Sequence, residues 1–143
     1  MVDKIKETVD FLRNKFSVHP RIAIVLGSGL GGLVDYLKIE QEIPYTEIPN
    51  FPISTVRGHK GSLIFGTLNG VEVMVQNGRF HHYEGYDLKT VTFPIRIFKE
   101  LGVGIVILSN AAGGMNPSFK IGEMMLIRDH INLFGDNPLI GKN

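Results

Sequence analysis

The sequence predicts an α/β chain built around a mixed β-sheet, and three observations carry that expectation. Two short β-branched apolar runs, residues 21–26 (RIAIVL) and 102–108 (GVGIVIL), each lead into a glycine-rich turn. Between them, residues 63–68 and 71–75 flank Asn69-Gly70, a strong hairpin signal because this dipeptide suits the type I′ turn that matches strand twist. Helical periodicity marks the stretches before and between the runs.

The elements follow in order. Val2, Ile5, Val9, Leu12 and Phe16 recur at helical spacing, so residues 1–15 are expected to form an amphipathic helix. Residues 21–26 are expected to be a buried strand, followed by the turn GSGLGG (27–32) and a short helix at 33–37. Residues 41–60 contain Pro44, Pro49 and Pro52 and show little periodicity, which predicts a long loop. After the hairpin, residues 87–101 predict a helix in which Pro94 either makes a kink or marks a late start. Residues 102–108 predict a second buried strand, and MMLI (124–127) a last one. No linker divides the chain, so residues 1–143 are expected to be a single domain.

Composition narrows the function. Hydrophobic residues make up 43% of the 143 and charged residues 20%, the balance of a globular protein. The formal net charge is +1, so no global basic field invites nucleic acid or a membrane surface. Any bound anion must be held by local geometry. The absence of cysteine excludes disulfides, thiolate zinc sites and cysteine nucleophiles. The first residues lack the apolar core of a signal peptide, and no apolar run approaches the ~20 residues of a membrane span. A cytoplasmic location is therefore the expectation.

Four stretches could carry chemistry. The turn GSGLGG (27–32) follows a strand, and its backbone N–H groups, with the Ser28 hydroxyl, suit a phosphate; the alternative is a turn that needs glycine only for packing. Gly27, Gly29 and Gly32 also fit the dinucleotide fingerprint. An oxidoreductase would need an acidic residue after the next strand, and Glu47 lies instead in a proline-rich stretch. In GRFHHYEGY (78–86), Arg79 offers a planar fork to an oxyanion, His81 a ring donor, and Glu84 a partner to orient that ring. His81 and His82 are neighbours on an expected extended chain and would point to opposite faces, which argues against a metal pair. SNAAGG (109–114) is a second glycine turn after a strand, with packing as its alternative role. The polar loop STVRGHKG (54–61) holds two hydroxyls, cations and His59, and could close over an anion or remain a solvated loop. His130, beside the apolar run 124–127, is expected to be structural. Together these stretches point to a local oxyanion pocket at strand ends, for phosphate or a phosphorylated small molecule.

Six blocks then resemble the trimeric purine nucleoside phosphorylases: GSGLGGL (27–33), EIPNFPISTVRGHKG (47–61), NGRFHHYEGY (77–86), VTFPIR (91–96), SNAAGGMNP (109–117) and GEMMLIRDHINL (122–133). Their order and spacing match the family over nearly the whole chain. The resemblance implies a phosphorylase/hydrolase-like α/β fold with a mixed central sheet, incomplete in this chain. It implies phosphorolysis of the N-glycosidic bond of purine (deoxy)ribonucleosides, giving the free base and (deoxy)ribose 1-phosphate. Phosphate would be the co-substrate, with no metal or organic cofactor. By position, the resemblance assigns phosphate contacts to Ser28, His59, Arg79, His81 and the backbone at Ala111. Tyr83 would face the ribose, and Glu84 would support His81 in catalysis. A homotrimer is implied as well.

The sequence departs mildly from the family at Asn77, His82 and Ser109, where the family often shows Gln, a different neighbour to the histidine, and Thr. Family chains are longer, and their purine-recognising residues fall beyond the position of Asn143. The base is therefore not legible here, and catalysis by these residues alone is not expected. Methylthioadenosine phosphorylases share the fold and reaction type, but the blocks at 54–61 and 80–86 look more like the 6-oxopurine enzymes. A non-catalytic phosphate-binding module is the other expectation kept open.

Overall fold

The structure is a computed structural model that describes residues 1–17, 19–27, 29–53 and 61–141. The chain divides into two compact units, Met1–Asn110 and Ala111–Asn143.

The first unit is a five-stranded sheet with helices against it. Helix α1 (Val2–Lys15) leads to β1 (Ile22–Val25), a 3₁₀ segment (Gly31–Tyr36), β2 (Lys38–Pro44), the hairpin β3 (Ser62–Leu68) and β4 (Val71–Asn77), short helices α2 (Leu88–Val91) and α3 (Phe93–Glu100), and β5 (Ile105–Leu108). The strand order is β2-β3-β4-β1-β5. Strand β1 runs parallel to both β4 and β5, while β3 runs antiparallel to its neighbours β2 and β4, so the sheet is mixed.

Period-two alternation sorts the strand residues onto two faces. Ala23, Val25, Leu63, Phe65 and Met74 join Val9 and Leu12 of α1 and Ile97 and Phe98 of α3 in the larger core. Ile24, Ile64, Val73 and Val75 form the smaller one, against Leu33, Val34 and Leu37. Leu12, Ile97 and Phe98 are fully buried; side chains of this kind contribute about 1.5–3 kcal/mol each through burial. At the hairpin tip, Asn69 and Gly70 both take positive φ, as a type I′ turn requires. Asp87 caps α2 by accepting from the Thr90 N–H at 2.6 Å. Pro94 falls in the first turn of α3, where its missing N–H costs no helical bond. The predicted helix over 87–101 is thus two helices, with Pro94 marking the later start.

Three expectations are corrected. The long loop expected from residue 41 begins with an edge strand, β2, which pairs with β3 through a register shift between Ile39 and Gln41. Only Ile43 of β2 is buried, so its sequence lacks the alternating apolar signal of a half-buried strand. Its Pro44 sits at the strand terminus, where a lost ladder donor is tolerated. Gly66 lets the two backbones meet, since a Cβ there would collide with the Lys38 carbonyl. Strand β5 was expected to be buried, but all four of its residues are exposed at the edge of the sheet. The strand expected at 124–127 does not form: these residues pair with no other strand among those described, and all four are exposed. His130, expected beside that strand, is exposed too.

The second unit is organised by local turns. Asn116 Oδ1 accepts from the Ser118 N–H and hydroxyl, and the Glu123 side chain accepts from the Lys120 N–H. Among the described residues, no helix is long and apolar enough to cross a membrane.

Candidate functional site

Parallel strands end together, and here three of them do. Val25 of β1 pairs with Gln76 of β4 on one side and Leu108 of β5 on the other. The residues that follow, Gly27, Gly78-Arg79 and Ser109, therefore meet beyond the carboxyl ends of the strands, where open α/β sheets place ligands. A cleft there is lined by Leu26, Gly27, Gly29, Gly31, Asn77, Gly78, Arg79 and His81.

Ser109 joins the three strand ends. Its hydroxyl accepts from the Gly27 N–H at 3.0 Å and donates to the Val25 carbonyl at 3.2 Å. Its own carbonyl accepts from Arg79 Nη1 at 2.6 Å. The approach is close enough that a Cβ on Gly27 would stand 2.8 Å from that carbonyl and 3.2 Å from Arg79 Nη1. The first glycine turn thus needs Gly27 for close packing around the arginine, besides any anion it holds.

Arg79 continues the network. Its Nε donates to His81 Nε2 at 2.9 Å. A guanidinium can only donate, so Nε2 accepts and the neutral ring carries its proton on Nδ1. Nδ1 faces Glu84 Oε1 at 2.8 Å, and the same oxygen accepts from the His81 backbone N–H at 2.9 Å. The 3₁₀ turn His82–Glu84 brings this carboxylate back onto the ring and closes with Gly85 at positive φ. The Glu84 side chain is only 3% exposed, and that of His81 is 18% exposed. The result is a relay, Glu84–His81–Arg79–Ser109, with one edge open to the cleft.

Of the residues singled out from sequence, Arg79, His81 and Glu84 come together as one hydrogen-bonded group. Tyr83 stacks on the His81 ring, centroids 4.6 Å apart, and is 79% exposed. It does not line the cleft. His82 turns away and donates from Nδ1 to the Tyr86 carbonyl at 2.7 Å, so the two histidines use their rings separately. Ser28 and His59 lie outside the described residues. Ala111 belongs to the second unit.

Sequence reading missed three supporting residues. Ser109 lies in the second glycine turn, where the small neighbours mark the backbone and nothing local marks the side chain. Tyr45 and Gln76 lie beneath the site, and both donate to the Gly78 carbonyl, at 2.5 Å and 3.2 Å. Burial pushes the Tyr45 hydroxyl far above its ordinary pKa, against a smaller lowering from its hydrogen bond with Gln76. No local pattern marks these two, because their role depends on a carbonyl brought to them by the fold.

A mixed sheet with an arginine–histidine pair at its parallel strand ends defines an α/β protein with a candidate site at those ends. Residues 21–143 match the Phosphorylase superfamily, and the chain belongs to that family. It is 54% identical over 139 residues to purine nucleoside phosphorylase 1 of Geobacillus stearothermophilus, covering 97% of this chain and 51% of that protein. It is 53% identical over 141 residues to the rat purine nucleoside phosphorylase, covering 96% and 49%. The solved Schistosoma purine nucleoside phosphorylase in complex with hypoxanthine superposes with a TM-score of 0.90 at 48% identity, covering 99% of this chain and 51% of that one. The chain spans about half the length of the curated relatives it matches.

Proposed function

We propose that this chain supplies the phosphate-binding half of a purine nucleoside phosphorylase site. The observation that carries the reading is the relay Glu84–His81–Arg79–Ser109 beside Gly27, at the joined ends of three parallel strands. Relatives at about half identity bear that enzyme's name.

In this reading Arg79 and His81 hold inorganic phosphate, and Glu84 fixes the His81 ring. Ser28, His59 and the Ala111 backbone complete the cradle, and Tyr83 faces the ribose, as the family resemblance implies. A phosphate oxygen forms a bond to the anomeric carbon of a purine nucleoside while the bond from that carbon to the base nitrogen breaks. The electron pair leaves with the base, which takes up a proton, and the sugar leaves as its 1-phosphate. The sugar becomes cationic in passing, by analogy with glycoside hydrolysis, so a fixed phosphate dianion beside it stabilises the transition state. Donors set before reaction orient that anion and disfavour attack by water. The chemistry calls for no metal or organic cofactor. A homotrimer in the cytoplasm acting on 6-oxopurine nucleosides is the fuller form of the proposal.

Two measurements test it. Titration calorimetry of the chain with inorganic phosphate should show saturable binding that weakens at least about tenfold in Arg79→Ala, since charged hydrogen bonds to the anion are lost. A chimera in which residues 1–143 replace the matching half of the Geobacillus enzyme should release hypoxanthine from inosine only with phosphate present. Release indifferent to phosphate would point to a hydrolase and sink the proposal.

A further inference from the structure

Arg79 sits between two residues that are held from beneath by a single core side chain. Tyr45 is 2% exposed, and its hydroxyl donates to the Gly78 carbonyl at 2.5 Å. Its ring packs against that of Phe80, centroids 5.2 Å apart, and against Phe51 at 5.0 Å. The residues before and after Arg79 are thus both fastened to Tyr45. Gln76, also buried, adds a second donor to the Gly78 carbonyl, so that peptide is pinned by two groups that have left water and need their acceptor. Gly78 takes φ 103°, a conformation that would strain another residue. With Phe80 directed into the core, the neighbouring Arg79 side chain is sent the other way, as successive side chains in extended backbone are. It there meets His81 and the Ser109 carbonyl.

We propose that Tyr45 is a positioning residue of the anion site, which sets the Arg79 guanidinium from the core by holding Gly78 through its hydroxyl and Phe80 through its ring. Gln76 assists by sharing the Gly78 carbonyl. The inference rests on the phosphate-site reading above.

Tyr45→Phe keeps the ring and removes the hydroxyl. Inorganic phosphate binding to the 143-residue chain, measured by calorimetry, should weaken about fivefold to tenfold in this variant, the scale of one lost buried hydrogen bond. Gln76→Met, which removes the second donor at similar volume, should weaken it less. Ile97→Val, a core change on α3 away from Gly78, should lower the melting temperature and leave phosphate affinity unchanged. In an Arg79→Ala background, Tyr45→Phe should cause no further loss of affinity, because its effect acts through Arg79. Equal phosphate affinity in wild type, Tyr45→Phe and Gln76→Met would overturn the inference and leave the site reading intact. A wild-type chain that binds no phosphate would overturn the site reading, and this inference with it.

Discussion

The Nε of Arg79 donates to Nε2 of His81 at 2.9 Å, so the two side chains proposed to hold one anion also hold each other. Both residues line the same cleft. Glu84 on the far side of the imidazole fixes the ring plane, so the pair behaves as one preorganised unit.

Removing the carboxylate should loosen that unit. In Glu84→Ala the His81 ring loses its Nδ1 partner and the His81 N–H loses its acceptor. Phosphate affinity should fall about fivefold to tenfold, with the chain still folded. Calorimetry beside a thermal melt separates the two effects.

Ser109 and Gly27 offer a test of packing at the strand ends. Ser109→Ala strips the hydroxyl from the Gly27 N–H and the Val25 carbonyl and should destabilise the chain by about 1–2 kcal/mol. Gly27→Ala drives a methyl group toward the Ser109 carbonyl and Arg79, and should cost about 1–3 kcal/mol through overpacking. Urea titrations measure both, and Gly27→Ala should also displace Arg79 and weaken phosphate binding.

Tyr45 should make the fold sensitive to alkali. Its hydroxyl is held protonated well above its ordinary pKa by burial. The unfolded chain releases that proton near pH 10. Its contribution is therefore complete below about pH 10 and is lost as the pH rises past it. Urea stability between pH 8 and about 11 should fall in wild type and fall less steeply in Tyr45→Phe.

Asp87 gives the opposite dependence at low pH. The Thr90 side chain and N–H hold its carboxyl below the usual carboxylate value. The contribution of this cap is present above the unfolded-state value near 4 and is lost as the pH falls through the lower folded value. Asp87→Asn should flatten that part of the acid limb in a circular-dichroism titration.

Much of the first unit was legible in the chain. Strand β1, the hairpin and α1 announce themselves through periodicity and Asn69-Gly70, since each signal lies within a few residues of what it specifies. Strand β2 did not, because KIEQEIP is exposed nearly throughout and owes its form to hydrogen bonds with β3. The exposure of β5 was equally hidden, since β-branched residues look alike at an edge and at a centre.

The candidate site divides in the same way. Arg79, His81 and Glu84 lie within six residues, so their chemistry and their grouping could be read together from GRFHHYEGY. The sequence by itself determined α1, β1, the hairpin, the local charge and the family blocks. Tertiary structure alone decided that Ser109 meets Gly27 and Arg79, and that Tyr45 reaches the Gly78 carbonyl. Those contacts span tens of residues: parallel pairing of β1 with β4 and β5 brings Gly27, Arg79 and Ser109 together, and antiparallel pairing of β3 with β2 and β4 sets Tyr45 beside Gly78.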